Sequence, residues 1–248
     1  MKPKIIFKIN KSKDVRNFHL FLIDAEYNRS ILNWAFFKKY PELKSHINEN
    51  GVSFSVDDEF VKKFVDDYYS CNRILIKKDM ANYQKLWSFK KEEYFELVGL
   101  LFDPIYWPKG DYTVYATMWG MFPRFLEERS FHVPVIYKKK SYIPVVIAHE
   151  MLHFIFYNYI SINPLKFRKE EDSFFVWHLS EIFNSIVQNS EPWFELFQVK
   201  AQIYPEHRKI IDVLNRKKKN TAKINSRMLI QEIIKELRKN PGSWSHID

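Results

Sequence analysis

The chain is organised around an unbroken apolar stretch that carries three polar residues: Val145-Val146-Ile147-Ala148-His149-Glu150-Met151-Leu152-His153-Phe154-Ile155. Its length, and Pro144 directly before it, predict an α-helix, because a proline in the first helical turn costs no hydrogen bond. On this helix His149 and His153 are four residues apart, so they lie on one face, about one turn from each other. Burying three polar side chains is costly unless they have partners. The stretch therefore predicts a core helix whose polar groups meet a partner inside the protein.

The three polar residues form the pattern His-Glu-x-x-His. Two imidazoles one turn apart can bind one Zn²⁺ ion, and Glu150 then lies beside the ion without being needed as a ligand. A carboxylate in that position can accept a proton from a zinc-bound water. The pattern indicates a hydrolytic zinc site with His149 and His153 as ligands and Glu150 as the general base.

A catalytic zinc ion takes three protein ligands and keeps a fourth position for water. Glu181 is the predicted third ligand, because it follows His153 by 28 residues, which is enough for a loop and an antiparallel helix. It also lies in an apolar sequence, where a carboxylate must be paired, protonated or bound to metal. The alternatives are His178, one turn earlier on the same helix, and Glu171 or Asp172.

The composition is that of a globular protein from a reducing compartment. Hydrophobic residues make up 46% of the 248 residues, which is sufficient for a core, and a single cysteine excludes a disulfide framework and a cysteine-based zinc site. The N-terminal segment has too few consecutive apolar residues for a signal peptide. The one long apolar segment contains the His-Glu-x-x-His pattern, which disfavours a membrane span. We expect a cytoplasmic protein that does not contact a membrane.

The net charge of +9 is concentrated most strongly in Arg216-Lys217-Lys218-Lys219. A basic run of this kind can contact nucleic acid, although a solvated helix end is the more common explanation. The five glycines are too far apart for a dinucleotide-binding or phosphate-binding loop. A zinc-containing regulatory or nucleic-acid-associated protein, with contacts through Lys217 to Lys219, is therefore the alternative function.

Helical periodicity dominates the chain, with a β-rich region in the middle. Strands are predicted at Lys4–Ile9, Tyr112–Trp119 and Phe131–Tyr137, a loop at residues 48–55, and a helix that Asp172 or Ser173 caps and that runs to about Asn189. Pro134 indicates that its strand lies at an edge or contains a bulge. We predict an α+β fold, mostly helical, in which a small mixed sheet with an edge strand packs on the His-Glu-x-x-His helix between N- and C-terminal helices. The predicted segments are a helical subdomain at 1–105, a catalytic core at 106–205 and a basic helical segment at 206–248.

These features, from Tyr112 to Ile186, resemble the zincin metallopeptidases, and among them the gluzincin branch, whose third ligand is a glutamate on the helix after the active-site helix. The resemblance implies His149, His153 and Glu181 as zinc ligands and Glu150 as general base. It implies a zinc-dependent metallopeptidase that acts on peptides or proteins. A latent peptidase covered by its own flanking segments is a further alternative.

The resemblance also implies residues outside the motif. An edge strand upstream of it would hold an extended peptide, here at Ala116-Thr117-Met118-Trp119-Gly120. A polar group one turn after the glutamate would orient a zinc-binding histidine, which points to Asn184 or Ser185. A tyrosine or histidine after the third ligand would stabilise the oxyanion, and the candidates are Tyr204 and His207, with Tyr157 a weaker one.

Overall fold

The computed structural model describes residues 2–23, 37–50, 53–102, 107–163, 165, 167–168, 171–218 and 225–240. The described chain is mostly helical and contains a four-stranded mixed sheet, which confirms the predicted α+β class.

The chain divides into two compact units. A helical unit comprises Met1–Pro3, Leu86–Lys109 and Ser141–Asp248, and a sheet unit comprises Lys4–Lys85 and Gly110–Lys140. The predicted segments 1–105, 106–205 and 206–248 are consecutive, whereas both units are assembled from distant parts of the chain. The reason is strand pairing, since a strand from the first ten residues joins strands that begin after residue 110.

The strands of the sheet unit are β1 (Ile5–Lys8), β2 (Ile47–Asn50), β3 (Ser53–Val56), β4 (Tyr112–Thr117), β5 (Arg124–Phe125) and β6 (Ser130–Pro134). The larger sheet has the order β1-β4-β6-β5, in which β1 and β6 run parallel to β4, and β5 runs antiparallel to β6. β4 and β6 are therefore interior strands. The predicted edge position does not hold for β6 as a whole, because Ser130 and Phe131 pair with β5, but Pro134, its last residue, pairs with Thr117 of β4 and lies beyond the end of the β5 pairing.

The predicted loop at residues 48–55 is wrong for 48–50 and 53–55, which lie in strands, whereas residues 51 and 52 lie outside the described residues. Strands β2 and β3 pair with each other as an antiparallel two-stranded sheet, with Ile47 opposite Val56 and Glu49 opposite Phe54. The sequence of β2 is mostly polar, so a search for alternating apolar residues does not detect this strand. Its pairing with β3 is what stabilises it.

The helices of the sheet unit are α1 (Lys11–Phe18), α2 (Asp58–Cys71) and α3 (Arg73–Ser88), the last of which continues into the helical unit. A buried carboxylate on α1 holds the end of β4. Asp14 is fully buried, and its Oδ2 accepts hydrogen bonds of 2.8 Å from the Met118 amide and from the Tyr69 hydroxyl. This contact joins α1, α2 and the chain that leaves β4.

The helices of the helical unit are α4 (Lys91–Leu101), α5 (Ile143–Ile162), α6 (Ser173–Gln188), α7 (Glu191–Phe197), α8 (Arg208–Lys218) and α9 (Ser226–Lys239). Pro144 lies in the first turn of α5, as predicted. Asp172 caps α6, as predicted, because its carboxylate accepts from the amides of Phe174 and Phe175. In both cases a single residue at the start of the helix is sufficient to predict where the helix begins.

Helix α5 forms the centre of the helical unit. Ile143 to Phe156 are buried except for His149, and α6 packs along α5. Phe183 of α6 contacts Phe156 of α5 and Phe102, with ring centroids 5.2 and 5.6 Å apart. The segment Lys140–Ile162 is long and apolar enough to cross a membrane, but 61% of its apolar window is buried in the protein, as in the core helix of a soluble protein.

Candidate metal centre

Helices α5 and α6 bring three predicted ligands together. The Nε2 atoms of His149 and His153 lie 3.0 Å apart, and the Glu181 carboxylate spans them, with 3.1 Å to His149 and 3.2 Å to His153. The potential ligand atoms of the three residues all lie within 4.8 Å of one another. The predicted convergence of Glu181 with the two histidines is confirmed.

These distances match the ligand shell of a small tetrahedral cation. Two ligands at the usual zinc distances and at a tetrahedral angle are about 3.3 Å apart. The two Nε2 atoms are 3.0 Å apart, Oε2 of Glu181 is 3.1 Å from His149, and Oε1 of Glu181 is 3.2 Å from His153, so each histidine faces a different oxygen of the carboxylate. The three residues could hold a metal ion.

The electrostatics of the centre also favour a cation. Burial by itself raises the pKa of the Glu181 carboxyl, but the neighbouring His153 and His149 rings outweigh burial and hold the pKa well below its usual range. Burial by itself lowers the pKa of His149, but the charge of Glu181 outweighs it, and the net pKa is raised. The centre thus stabilises negative charge on Glu181 and positive charge next to it.

His149 is the most exposed of the three residues. The His149 side chain is 20% exposed, whereas those of His153 and Glu181 are 0% and 5% exposed. Glu150 is buried, and its charge also raises the pKa of His149, which places its carboxylate within electrostatic reach of the centre. A catalytic metal site needs this combination of a closed ligand side and an accessible side.

Two amides of α6 attach that helix to α5 next to the ligands. Asn184 donates from Nδ2 to the backbone carbonyl of His149 at 3.1 Å, and Gln188 donates from Nε2 to the carbonyl of Val145 at 3.0 Å. The Gln188 Oε1 also lies 2.7 Å from Nδ1 of His149. The group that contacts the histidine ring is therefore Gln188, where Asn184 or Ser185 was expected. Its signal in the sequence is the spacing of seven residues from Glu181, which is two helical turns on the same face.

The three alternative ligands have other partners. Nδ1 of His178 lies 2.7 Å from Nε2 of His207. Glu171 is held by Arg238 through contacts of 2.6 and 2.9 Å, and Asp172 caps α6. Of the four candidates for the third ligand, Glu181 is the one that lies with His149 and His153 in a group that could hold a metal ion.

The residues expected to stabilise an oxyanion differ in their surroundings. His207 is buried, and burial followed by the effect of His178 lowers its pKa to about 4, while the charge of Glu181 acts in the opposite direction. Tyr204 is 45% exposed, and its ring lies 5.5 Å from that of His207. Tyr157 lies one turn after His153, and its hydroxyl is 3.4 Å from Oγ of Ser180. Their role in catalysis stays a prediction.

The expectation of an exposed edge strand at Ala116-Thr117-Met118-Trp119-Gly120 is wrong in its structural premise. The pairing of β1 with β4 ends at Tyr115, but Ala116 to Trp119 are buried, although Gly120 is exposed, so the edge is not an exposed one. The backbone there already has partners in the sheet unit. The Ala116 carbonyl accepts from Tyr69, and the Met118 carbonyl accepts from Tyr40 and Lys39. Peptide binding by these residues stays a prediction, without the strand edge on which it was based.

The basic cluster falls partly outside the described residues, since Lys219 is not among them. Lys217 has partners within the helical unit: its Nζ lies 2.7 Å from Glu236 and 3.4 Å from Glu232, both on α9. This pairing reduces the positive charge that Lys217 presents to an anionic partner. Contact with nucleic acid stays a prediction, and the ion pairs of Lys217 do not support it.

Comparisons with known proteins found no match: no protein-family model, curated protein or solved structure matches this chain.

Proposed function

We propose that this protein is a zinc-dependent metallopeptidase. The observation that supports the proposal is the convergence of His149, His153 and Glu181, the residue types of a catalytic zinc site, within metal-binding distance of one another. The His-Glu-x-x-His pattern on α5 supplies, beside this ligand set, a carboxylate that the set does not use. Peptide or protein substrates follow from the resemblance to the zincins.

The roles of the residues follow from their positions. His149, His153 and Glu181 would hold the ion. When bound, the ion would lower the pKa of a water molecule and polarise a carbonyl group. Glu150 would accept a proton from the attacking water at its carboxylate and deliver it to the departing amine. The exposed side of His149 is the side from which a substrate would approach.

The experiment is a comparison of metal content and peptidase activity in purified protein. We expect about one zinc per chain by elemental analysis, which also reports iron and manganese. Glu150→Gln should keep the zinc and lose activity on an unstructured protein by roughly 10²- to 10⁴-fold, since general acid–base catalysis contributes about that much. Glu181→Gln is the matched variant, with the same chemical change at a ligand, and should lose the zinc as well. Full activity of Glu150→Gln would contradict the proposed mechanism.

The cytoplasm is the compartment that we propose. The support is the single cysteine, which is exposed and free, as suits a reducing compartment. Cell fractionation followed by immunodetection tests it, and recovery of the protein in a membrane or secreted fraction would contradict it.

A further inference from the structure

The orientation of the Gln188 side-chain amide is fixed by its two contacts. A backbone carbonyl can only accept, so the atom that lies 3.0 Å from the Val145 carbonyl must be the NH₂ group. The amide oxygen therefore faces the Nδ1 atom of His149, at 2.7 Å. Gln188 is 2% exposed, so water cannot easily replace either contact.

This orientation determines where the proton of a neutral His149 lies. An amide oxygen is an acceptor, so Nδ1 of His149 must donate, and Nε2 of the neutral ring then carries a lone pair. That lone pair faces Nε2 of His153 at 3.0 Å and the Glu181 carboxylate, itself an acceptor, at 3.1 Å, so this tautomer suits a cation bound between them. In the other tautomer, Nδ1 and the amide oxygen would be two acceptors in contact.

We propose that Gln188 is a positioning residue, which holds His149 in the tautomer that presents Nε2 to the metal ion. The inference rests on the proposed metal site and names a residue that the His-Glu-x-x-His pattern does not contain. Gln188 is uncharged, so it orients the ring without adding a second negative charge to a centre that already contains Glu181 and has Glu150 nearby.

The chain offers a matched control for this role. Asn184 lies one turn before Gln188 on α6 and makes the same type of amide-to-carbonyl bond across to α5, but to the backbone of His149 and not to its ring. Gln188→Met and Asn184→Leu each replace an amide by an apolar group of similar shape. Both remove an interhelical hydrogen bond, and only the first removes the partner of Nδ1.

The first measurement is zinc affinity, by competition with a chromophoric chelator. Gln188→Met should bind zinc about 10- to 100-fold more weakly than the unmodified protein, which is the usual effect of losing the partner of a metal-binding histidine. Asn184→Leu should stay within about threefold, since the His149 ring keeps its partner. The far-UV circular dichroism spectrum of Gln188→Met, compared with that of the unmodified protein, shows whether a loss of affinity is a failure to fold. Equal affinity in the unmodified protein and Gln188→Met, or equal losses in Gln188→Met and Asn184→Leu, would overturn the inference.

The second measurement needs no metal. Correlation of the ring nitrogens and protons of His149 by NMR in metal-free protein should show a slowly exchanging proton on Nδ1, held by Gln188, and the lack of a proton on Nδ1 would overturn the inference. Failure of the unmodified protein to bind zinc, with the proton on Nδ1, would refute the proposed metal site and leave the role of Gln188 in orienting the ring supported. Zinc binding that is indifferent to Gln188 would refute the positioning role and leave the metal site in place.

Discussion

The polar residues of the metal centre stabilise one another only as a group. A lone ionised carboxylate with the burial of Glu181 would carry a large desolvation penalty. Two imidazoles within 3.2 Å offset that penalty when a proton or a metal ion lies between the groups. Loss of any one ligand therefore leaves the other two buried without their compensation.

Asp14 is a second buried carboxylate, and its environment shifts its pKa in the other direction. Burial raises the pKa of Asp14 from 3.8 to about 6, although hydrogen bonds from Thr117, Met118 and Tyr69 lower it. Its Oδ1 has no hydrogen-bond partner among the described residues. The folded protein therefore binds this proton more tightly than the unfolded chain does.

We predict that Asp14→Asn removes a pH dependence of stability. A raised pKa in the folded state contributes stability below about pH 4, and this contribution is lost as the pH rises through about 6. The free energy of unfolding of the variant, minus that of the unmodified protein, should increase between pH 4 and pH 7 by up to about 3 kcal/mol. Urea unfolding at a series of pH values measures the difference. A difference that does not change with pH would show that Asp14 titrates as in an unfolded chain.

At the residue level, the parts of the centre that follow a local rule were predictable. His149 and His153 follow from the spacing of one helical turn, and Glu181 from a carboxylate in an apolar sequence. Gln188 was not predicted, because its role depends on which α5 groups lie opposite it across the helix pair. That register is a property of packing, which the spacing within α6 does not contain.

Among the helices, the register of α6 against α5 is what produces the centre. In this register Glu181 lies opposite the two histidines, and Gln188 contacts both the Val145 carbonyl and the His149 ring. Helix α9 holds the other end of α6. Arg238 of α9 contacts Glu171, whose carboxylate also accepts from the Arg168 amide just before α6 begins.

We predict that Glu171→Gln destabilises the protein without changing its zinc content. The Glu171 side chain is 1% exposed and that of Arg238 is 28% exposed, so the substitution leaves a partly buried guanidinium without its charged partner. The expected cost is about 1 to 3 kcal/mol in urea unfolding. Arg238→Lys keeps the charge but not the two-pronged contact and should cost less. Loss of zinc in Glu171→Gln would contradict this prediction and would indicate that Glu171, and not Glu181, is the third ligand.

Element boundaries could be predicted where single residues determine them. Pro144 and Asp172 begin their helices as their chemistry requires. Strand neighbours could not be predicted, because pairing joins residues far apart in the sequence. β4 was expected to present an exposed edge, but residues 5–8 pair with Tyr112 to Tyr115 from the far end of the chain, and Ala116 to Trp119 are buried.

The fold class of the whole molecule could be predicted from composition and periodicity, whereas the division of the chain into two units could not. Both units combine distant segments, so no boundary in the sequence marks them. The candidate metal centre lies entirely within the helical unit, on two helices joined by a short connection. The contacts described above that build the centre are those between α5 and α6 and those that join α9 to the start of α6.

The central claim is that His149, His153 and Glu181 bind one zinc ion, and anomalous diffraction tests it most directly. Data collected on both sides of the zinc absorption edge, from crystals of zinc-loaded protein, should give a single strong difference peak about 2 Å from Nε2 of both histidines and from the Glu181 carboxylate. Crystals of Glu181→Gln grown in the same way should lack the peak. A zinc peak on other residues, or none at this centre in the unmodified protein, would contradict the claim.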